Sequence, residues 1–438
     1  MSANLPGYGL TVGYKRLRQT VRTRGAMAER IVLMLAYHFP PENAIGGARP
    51  YRFYKYLSQM GYRCHVITAA DQGTRPDLDL EYIPDPFVTH PREGIGWQLE
   101  RVVRKLLLPG ATGIQWSRLA CRAARGFLLS KPNAEVTIYS TYPPLGAHLA
   151  ALLVMRKESI KWIADFRDPL SDNPGHTGLT RLQQELNRWL ERTILKAATV
   201  AIVNTDALAE KWKNTYPNRR DRIHLIWNGF DPEDRIEPQL PPERDYQLIS
   251  HVGELYGGRN ITPLLESVSR LIEAGRLTAG GIRIRLVGPT ESDCVPGPKF
   301  LLHAKQQGWL ELIPEQVSPH DARQMAQDSD GLLLIQPHTS VQVPSKLFEY
   351  LRLGRPILAF ILANTPIERI LKQSGVAYRC AYAGSPPQEM DNAVHGFFDL
   401  EESADRANTW FEENFDAKKQ TQVLDALIRL IHGRQGEL

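Results

Sequence analysis

A strand–helix–strand unit at residues 331–362 is the feature that most constrains the fold of this chain. Two apolar runs, each long enough for a buried strand, flank a helix predicted over 346–353. Ser345 suits the N-cap of this helix, while Gly354 and Pro356 end it, because glycine adopts the left-handed conformation and proline lacks a backbone N–H. Such units build parallel sheets, in which the helix N-terminus lies beside the strand ends where ligands bind.

The predicted helix carries a cation and a carboxylate at its N-terminal end. Lys346 and Glu349 stand three residues apart and so share one helix face. At the ligand side of a sheet, this pair suits a phosphate and a sugar hydroxyl. A solvated ion pair on an ordinary helix is the alternative, and these residues alone do not separate the two interpretations.

The rest of the chain repeats the strand–helix alternation in two series. The first begins with a strand at 31–37, a loop containing two glycines and a helix near 48–60; the second begins with a strand at 246–253. Between them, residues 228–245 are rich in proline and charge and lack periodicity. We therefore predict the α/β class, with two Rossmann-like domains facing a cleft.

The predicted organisation has five parts. They are a basic extension at 1–28, an N-terminal domain at 29–229, a linker at 230–245, a C-terminal domain at 246–410, and a C-terminal helix at 411–438 that crosses back to the N-terminal domain. Further strands are expected at 62–68, 135–140, 161–166, 199–204, 222–227, 282–288 and 310–313, with helices between them.

Composition and length indicate a soluble protein of two or three domains. The chain has 438 residues, of which 42% are hydrophobic and 23% are charged, so it can bury a large core. Its cysteines, Cys64, Cys121, Cys294 and Cys380, show no metal-binding spacing and are interpreted as reduced, as in the cytoplasm. Without a secretory signal or an apolar run of membrane-spanning length, the expected location is cytoplasmic, or peripheral at the inner face of the plasma membrane.

Residues 92–131 form a basic segment in which only Glu93 and Glu100 oppose eight arginines and lysines. Trp97, Trp116 and several leucines are interleaved with the charges. A basic amphipathic segment of this kind can lie on an anionic membrane surface. A pair of helices packed on the domain, with a solvated basic face, is the alternative. Nucleic acid is not an expected partner, because no helix-turn-helix, zinc or RNA-binding aromatic motif accompanies the charge.

Four motifs together resemble glycosyltransferase family 4, of GT-B fold, and most closely its bacterial branch that builds surface polysaccharides. The resemblance covers residues 31–433. YHFPPENAIGGARP resembles the first glycine loop of the family, and STYPPLGAHLA with WIADFRDP resembles the next two strand ends. IHLIWNGFDPED resembles the crossing between domains, and VPSKLFEYLRLGRPIL resembles the donor-site helix.

The resemblance implies a nucleotide-sugar donor in the C-terminal domain and an acceptor in the N-terminal domain. Glu349 matches a glutamate that holds the ribose hydroxyls, and a carboxylate can accept two hydrogen bonds from such a diol. Arg259 matches a basic residue that binds the donor diphosphate. The other residues matched to donor-binding positions are Gly46, Gly47, Gly253, Gly288, Gln316 and Val317.

Three departures from the family pattern change the expected roles. Val341 stands where a first glutamate is usual, so sugar recognition there is by backbone groups or differs from the family. Glu254 stands where a phosphate-binding arginine is common, and we predict that Lys346 replaces the lost charge. No histidine occupies the strand end at 140–141; His148 is the nearest substitute, with a packing role on its helix as the alternative.

The predicted catalytic residues are Arg259, Lys346, Asp168 and His148, and the predicted acceptor-binding residues are Tyr37, His38 and Arg167. Arg167 and Asp168 directly follow a predicted strand, which places them on the ligand side of the sheet. A buried ion pair that holds a loop is the alternative for this pair. Tyr37 and His38 lie at the end of the first strand.

The resemblance implies sugar transfer, with retention of anomeric configuration, to a glycan or a polyprenyl-diphosphate-linked acceptor. Arginine and lysine can neutralise the leaving diphosphate, so no metal or other cofactor is expected. A nucleotide-sugar 2-epimerase of the same fold is one alternative. A catalytically inactive nucleotide-sugar-binding partner protein is another, and Val341 and Glu254 would fit it. The donor sugar, the base, the acceptor and the oligomeric state are not predicted.

Overall fold

The computed structural model describes residues 29–40, 45–69, 75–89, 94–108, 111–156, 158, 160–173, 178–400 and 406–433. The basic extension predicted at 1–28 lies outside these ranges, and so do the first two residues of the basic segment. Within the described ranges, no helix combines the length and the apolar character needed to cross a membrane.

The N-terminal domain is built on a seven-stranded parallel sheet. Its strands are β1 (Arg30–Leu35), β2 (Arg63–Thr68), β3 (Leu80–Tyr82), β4 (Glu135–Tyr142), β5 (Lys161–Phe166), β6 (Val200–Val203) and β7 (Ile223–Leu225). Their spatial order is β3-β2-β1-β4-β5-β6-β7. The helices are α1 (Ile45–Gln59), α2 (Pro86–Thr89), α3 (Ile95–Leu106), α4 (Ile114–Leu129), α5 (Leu145–Met155), α6 (Arg181–Ala197) and α7 (Asp206–Thr215).

Alternating side chains of β1 show that this sheet is covered on both faces. Ile31, Leu33 and Leu35 belong to one apolar cluster, while Val32 and Met34 belong to another. Successive side chains of a strand point to opposite faces, so each set packs under its own layer of helices. Burial on both faces explains why the strand is a continuous apolar run in the sequence.

The C-terminal domain is built on a six-stranded parallel sheet. Its strands are β8 (Gln247–Val252), β9 (Ile282–Val287), β10 (Leu310–Ile313), β11 (Gly331–Gln336), β12 (Ile357–Ile361) and β13 (Tyr378–Tyr382), in the spatial order β10-β9-β8-β11-β12-β13. Its helices are α8 (Thr262–Glu273), α9 (Pro298–Gln306), α10 (Pro319–Gln327), α11 (Lys346–Leu353), α12 (Pro366–Ser374) and α13 (Pro387–Phe398). Two further helices, α14 (Thr409–Phe415) and α15 (Ala417–Ile431), follow. The predicted α/β class, with two Rossmann-like sheets, is confirmed.

The glycine pair after β1 lies in a helix rather than in the loop that the sequence predicted. α1 begins at Ile45, three residues earlier than expected, and Gly46 and Gly47 form part of its first turn. The two glycines therefore bring the backbone of a helix N-terminus, rather than a loop, towards the strand ends.

The chain passes between the domains twice, and the two passages are hydrogen-bonded to each other. Phe230 N–H donates to Phe415 O at 3.0 Å, and Ala417 N–H donates to Phe230 O at 2.9 Å. A Cβ on Gly229 would lie 1.9 Å from Phe415 O, so only glycine permits this approach. The two passages therefore form a single joint between the domains.

The C-terminal tail is two helices, and the second crosses back to the N-terminal domain as predicted. α14 buries Phe411 in the C-terminal core, and Asp416 then caps α15. α15 places Leu424 in the core of the N-terminal domain, where the Tyr62 hydroxyl donates to Asp425 Oδ1 at 2.7 Å. The break at Asp416 was not predicted, because the sequence there has no proline or glycine.

The basic segment divides into a packed helix and a more exposed one. α4 buries Trp116, Ala120 and Ala124 in the core of the N-terminal domain, so the packing interpretation applies to this helix. α3 is attached mainly through one side, where the buried Glu100 carboxylate accepts from Gln115 N–H at 2.9 Å.

Candidate functional site

The carboxyl ends of β8 and β9 form a glycine-lined surface beside the N-terminus of α11. Gly253 follows β8 with a φ of 128°, and Gly288 follows β9 with a φ of 111°, both in the region that favours glycine. A Cβ on Gly253 would lie 2.1 Å from Lys346 Nζ. The missing side chain therefore allows Lys346 to lie directly over the strand end.

Ser345 occupies the N-cap position of α11 but makes no capping bond, which corrects the prediction. Its φ of −58° and ψ of −27° are already helical, whereas a capping residue is normally extended. Backbone bonds hold the first turn instead, since Leu347 N–H donates to Pro344 O and Phe348 N–H donates to Ser345 O.

Lys346 is partly buried. Its Nζ lies 3.3 Å from His251 Nε2, and no carboxylate in the described part of the chain forms an ion pair with it. Burial and the charge of Arg259 lower the pKa of Lys346 to about 7, against a smaller opposite effect of Glu254 and Glu349. Among the described residues, the Lys346 charge therefore has no carboxylate within ion-pair distance.

Arg259 and two histidines surround the same strand end. Arg259 Nε donates to Gln336 Oε1 at 3.2 Å. Burial and the Arg259 charge lower the pKa of His338 to about 4. Burial and the Lys346 charge hold the pKa of His251 well below its ordinary value. Both histidines are neutral at pH 7, because a further positive charge beside these cations is unfavourable. An anion with several oxygens would suit this cluster.

Glu349 lies in the first turn of α11, where it is linked to the interdomain linker. Its Oε1 accepts from Arg323 Nε at 3.2 Å. Arg323 also donates twice to the Asp234 carboxylate, at 3.0 and 2.7 Å. Arg323, which the sequence did not single out, therefore fixes both the orientation of Glu349 and the path of the linker.

Gln316 and Val317 lie in the connection between β10 and α10. Gln316 is exposed, while Val317 packs against the C-terminal core. The connection starts beside the glycine-lined surface, because Gly288 N–H donates to Ile313 O at 2.7 Å. A role in holding the base stays a prediction for these two residues.

On the N-terminal side, the structure brings His38, Gly46 and Arg167 together. A Cβ on Gly46 would lie 3.1 Å from His38 Cδ2 and 3.3 Å from an Arg167 nitrogen. Arg167 donates to Gly46 O at 2.9 Å and also to Pro143 O. Its guanidinium therefore holds the start of α1 against the end of β4 through backbone carbonyls. Gly47 packs equally closely, since its Cβ would lie 3.2 Å from Phe39 Cα.

Residues 337–345, between β11 and α11, reach across to the N-terminal domain. Gln342 Nε2 donates to Asp168 Oδ1 at 2.7 Å. Thr205 Oγ1 donates to Val341 O at 2.6 Å. Asp168 therefore faces the C-terminal domain. Val341 contacts the N-terminal domain through its backbone carbonyl group, which accepts the bond from Thr205.

Two predicted site residues lie in the core instead of the cleft, which corrects the prediction for both. His148 is fully buried, its Nδ1 lies 2.8 Å from Ser140 Oγ, and burial lowers its pKa to about 3. Its ring packs 4.4 Å from the ring of Phe166, so the packing alternative holds. Tyr37 is buried, and its hydroxyl donates to Asp85 Oδ2 at 2.7 Å.

A buried ion pair beside the joint between the domains was not predicted from the sequence. Arg49 donates to Asp165 at 3.0–3.2 Å and to Ile226 O at 2.9 Å. It also donates to Trp227 O at 2.8 Å. Asp165 accepts further from the Tyr139 hydroxyl at 2.5 Å. The available signal was a carboxylate inside the apolar run at 161–166, since such a group requires a partner when buried.

Two Rossmann-like domains, connected by a double crossing and carrying a partly buried cation cluster at the strand ends of the second, define a protein of the GT-B class. Residues 48–234 match the model of Glycosyltransferase Family 4. Over these residues the chain therefore matches the family that the resemblance predicted. The matched part covers most of the N-terminal domain and the start of the linker.

Solved structures share the fold over nearly the whole chain at low sequence identity. Sucrose-phosphate synthase from Thermosynechococcus elongatus is 13% identical with a TM-score of 0.66, covering 92% of this chain and 99% of its own. Anabaena HepE in complex with UDP and glucose is 13% identical with a TM-score of 0.59, covering 92% and 100%. The lipopolysaccharide outer core galactosyltransferase WaaB is 12% identical with a TM-score of 0.57, covering 92% and 99%. Among curated proteins, no significant match was found.

Proposed function

We propose that this protein transfers a sugar from a nucleotide-sugar donor to a glycan or lipid-linked acceptor, with retention of anomeric configuration. The observation that carries the proposal is the pair of cations, Lys346 and Arg259, held at the Gly253 strand end without a carboxylate in contact with the lysine within the described residues. HepE, of the same fold, was crystallised with UDP and glucose, which supports a ligand of this class. The likeness to WaaB supports a role in bacterial surface polysaccharide synthesis.

In this proposal the donor lies along the C-terminal strand ends. Lys346 and Arg259 bind the diphosphate, and Glu349 binds the ribose hydroxyls while Arg323 holds it in place. Gln316 and Val317 border the base. Lys346 supplies the positive charge that Glu254 cannot supply, and its position over Gly253 supports this replacement role.

The chemical step breaks the bond between the anomeric carbon and the diphosphate oxygen. Negative charge develops on the diphosphate, and the fixed cations stabilise it. The departing phosphate oxygen takes the proton of the acceptor hydroxyl, and the new glycosidic bond forms on the same face of the sugar. This route requires no general base, so it does not depend on His148. It also requires no metal, because Lys346 and Arg259 neutralise the leaving group.

The acceptor lies against the N-terminal side of the cleft in this proposal. His38 and Gly46 border that side, and Asp168 faces the C-terminal domain through Gln342. Arg167 is a positioning residue, because its donors are directed at backbone carbonyls. Asp168 would exchange its bond with Gln342 for a hydroxyl of the acceptor or of the donor sugar.

A thermal-shift panel of UDP, ADP, GDP and UDP-glucose tests the donor site. A ligand that binds only the native state at 100 times its Kd stabilises it by about 2.7 kcal/mol, a shift of a few degrees. We expect one base to give this shift, and Glu349→Ala to reduce it while an exposed carboxylate variant, Glu273→Ala, retains it. If no nucleotide raises the Tm at millimolar concentration, the donor-site assignment is wrong.

Donor affinity should fall as the pH rises above neutrality. The pKa of Lys346 is about 7 in the free protein, and a bound diphosphate raises it, so binding takes up a proton above that pH. For one linked proton the affinity falls by about tenfold per pH unit above the free pKa. UDP-glucose is a suitable probe, since it carries no phosphate that titrates near neutrality. Calorimetry in buffers of different ionisation enthalpy measures the proton uptake, and the same uptake in Lys346→Met would contradict this origin.

Turnover of the donor separates the proposal from its two alternatives. A transferase slowly hydrolyses donor or transfers the sugar, whereas a 2-epimerase interconverts two nucleotide sugars. An inactive binding partner does neither, although it would still show the thermal shift. Chromatography of UDP-glucose and UDP-N-acetylglucosamine after incubation with the full chain distinguishes the three outcomes.

A further inference from the structure

α3 leaves a continuous stripe of apolar side chains uncovered. Ile95, Leu99, Val102 and Leu106 have exposed fractions of 86%, 60%, 49% and 58%. Their spacing of four, three and four residues places them on one helix face. The other side of this helix is the attached one, where the buried Glu100 carboxylate bonds to α4. The stripe is thus the outward face of a docked helix.

α6 shows the same arrangement although it lies outside the basic segment. Leu182 and Trp189 have exposed fractions of 61% and 59%, and Leu186 is half-buried between them. Their spacing of four and three residues again defines one face. The opposite face of α6 buries Asn187 and Ile194 in the N-terminal domain.

The two stripes meet at one junction. Gln183 Nε2, at the start of α6, donates to Leu106 O at the end of α3 at 3.1 Å. This bond places the Leu182 end of one stripe beside the Leu106 end of the other. We call the seven apolar residues of these two stripes the α3–α6 surface.

The charges around the α3–α6 surface are predominantly positive. Arg101 on α3 and Arg181 and Arg192 on α6 are exposed, and the helical period places the two α6 arginines along one edge of its stripe. The acidic residues are less available, since Glu100 is buried and Glu185 is paired with Arg188. Exposed leucine and tryptophan bordered by arginine are the components of an interfacial membrane contact.

We propose that the α3–α6 surface docks this protein on an anionic lipid bilayer. The occupant is a bilayer because the surface consists of the outer faces of two helices with a cationic border, which complements an anionic headgroup layer. This surface differs from the one inferred from the sequence alone, since it excludes α4, whose apolar face is core, and includes α6. The proposal stands independently of the donor site.

Vesicle co-sedimentation of the full chain tests this docking. We expect binding to vesicles of phosphatidylglycerol and phosphatidylcholine, weak binding to phosphatidylcholine alone, and a decrease with added salt. The double variant Leu99→Glu/Leu182→Glu should lower partitioning at least ~10-fold, since it removes two exposed leucines that the bilayer would cover and adds repulsion. Leu302→Glu on α9 is the matched control, because Leu302 is 58% exposed but lies in the C-terminal domain.

Three results would overturn the proposal. The first is no binding to anionic vesicles at any ionic strength. The second is an equal loss of binding in the Leu302→Glu control. The third is a wild-type dimer in solution that becomes monomeric with Leu182→Glu, which would show that a second copy covers the surface. Thermal unfolding of each variant confirms that these exposed substitutions leave the fold intact.

A separate observation concerns the histidine beneath Lys346. His251 Nδ1 lies 2.9 Å from Leu333 O, and a carbonyl oxygen can only accept, so the proton is on Nδ1. The other ring nitrogen, Nε2, then carries a lone pair and lies 3.3 Å from Lys346 Nζ. His251 is buried at this contact, and Lys346 is partly buried.

We infer that His251 is a positioning residue that holds the Lys346 ammonium over Gly253, an inference that rests on the proposed donor site. The lone pair accepts a hydrogen bond from one N–H of the ammonium group and leaves the other N–H groups for the diphosphate. The other charged groups that face this ammonium are Arg259, Glu254 and Glu349. His251 is the neutral acceptor among them, and it comes from the strand that ends in Gly253.

Calorimetric titration of UDP-glucose into His251→Leu and His251→Gln tests this role. Glutamine keeps an oxygen acceptor near the position of Nε2, whereas leucine removes it. We expect leucine to raise the Kd about tenfold and to lower the pH midpoint of binding, and glutamine to restore most of both. Unchanged binding in His251→Leu, with a wild-type protein that binds UDP-glucose, overturns this inference alone. A wild-type protein that binds no nucleotide overturns the proposed donor site instead.

Discussion

Replacing Lys346 with methionine is expected to lower kcat/KM for sugar transfer by about 10²- to 10³-fold. This is the range found when one preorganised donor to a developing negative charge is removed. Lys346 meets the requirement, because it lies partly buried over Gly253 and no carboxylate of the described chain forms an ion pair with it. Methionine keeps a chain of similar length without the charge. Steady-state kinetics with the donor identified by thermal shift measures the effect.

The stability of the same variant separates a functional role from a structural one. Because its folded-state pKa of about 7 lies below that of an unfolded lysine, the protonated Lys346 destabilises the fold at neutral pH. Lys346→Met should therefore unfold at a Tm equal to or above that of the wild type, while its activity is lost. Lys372→Met, an exposed lysine on α12, is the matched control and should change neither property. Turnover near the wild-type value in Lys346→Met would show that this lysine does not serve the leaving group.

Replacing Arg49 with methionine should lower the free energy of unfolding by about 3–5 kcal/mol, the cost of leaving a buried charge without its partner. Arg49 and Asp165 are both buried, with 5% and 0% of their surface exposed. The guanidinium also donates to the carbonyls of Ile226 and Trp227, at the start of the crossing between domains. Loss of Arg49 thus leaves one carboxylate and two carbonyls without this donor. Urea denaturation followed by circular dichroism measures the change.

Two further variants define the origin of this loss. Arg75→Met removes a partly exposed surface arginine paired with Asp77 and should cost less than about 1 kcal/mol. Arg49→Met combined with Asp165→Asn should recover part of the stability, because the uncompensated charge is no longer buried. An Arg49→Met protein as stable as Arg75→Met would contradict the cost assigned to the uncompensated Asp165 charge.

The strand–helix alternation was predictable because both sheets are parallel and buried on both faces. Their strands are continuous apolar runs, and the helices between them carry the residues that begin or end a helix. The prediction of α11 between two strands, ended by Gly354, agrees with Lys346–Leu353 and with the left-handed conformation of Gly354. Details that depend on contacts with neighbouring segments of the same chain were less predictable. Gly46 and Gly47 lie in a helix, and Ser345 does not cap, since backbone contacts hold these turns.

The site was predictable in outline and less so in its individual roles. Lys346 was proposed as the replacement for a missing arginine because Glu254 has the wrong charge, and the structure places its Nζ beside Gly253. His148 was misassigned, since proximity in sequence to a strand end does not show which way a helix turns a side chain. Its ring faces the core, where it packs against Phe166.

By itself, the sequence determined the class of fold, the two domains and the identity of the helix at 346–353, because hydrophobic periodicity and helix-ending residues act over short distances along the chain. Only the tertiary structure decided what surrounds Lys346, since Gly253, His251 and Arg259 come from a strand and a loop almost a hundred residues away. It likewise decided that α4 is core and that α3 and α6 share one exposed surface. Burial and charge depend on which segments meet in space, and the local pattern of a sequence does not contain that information.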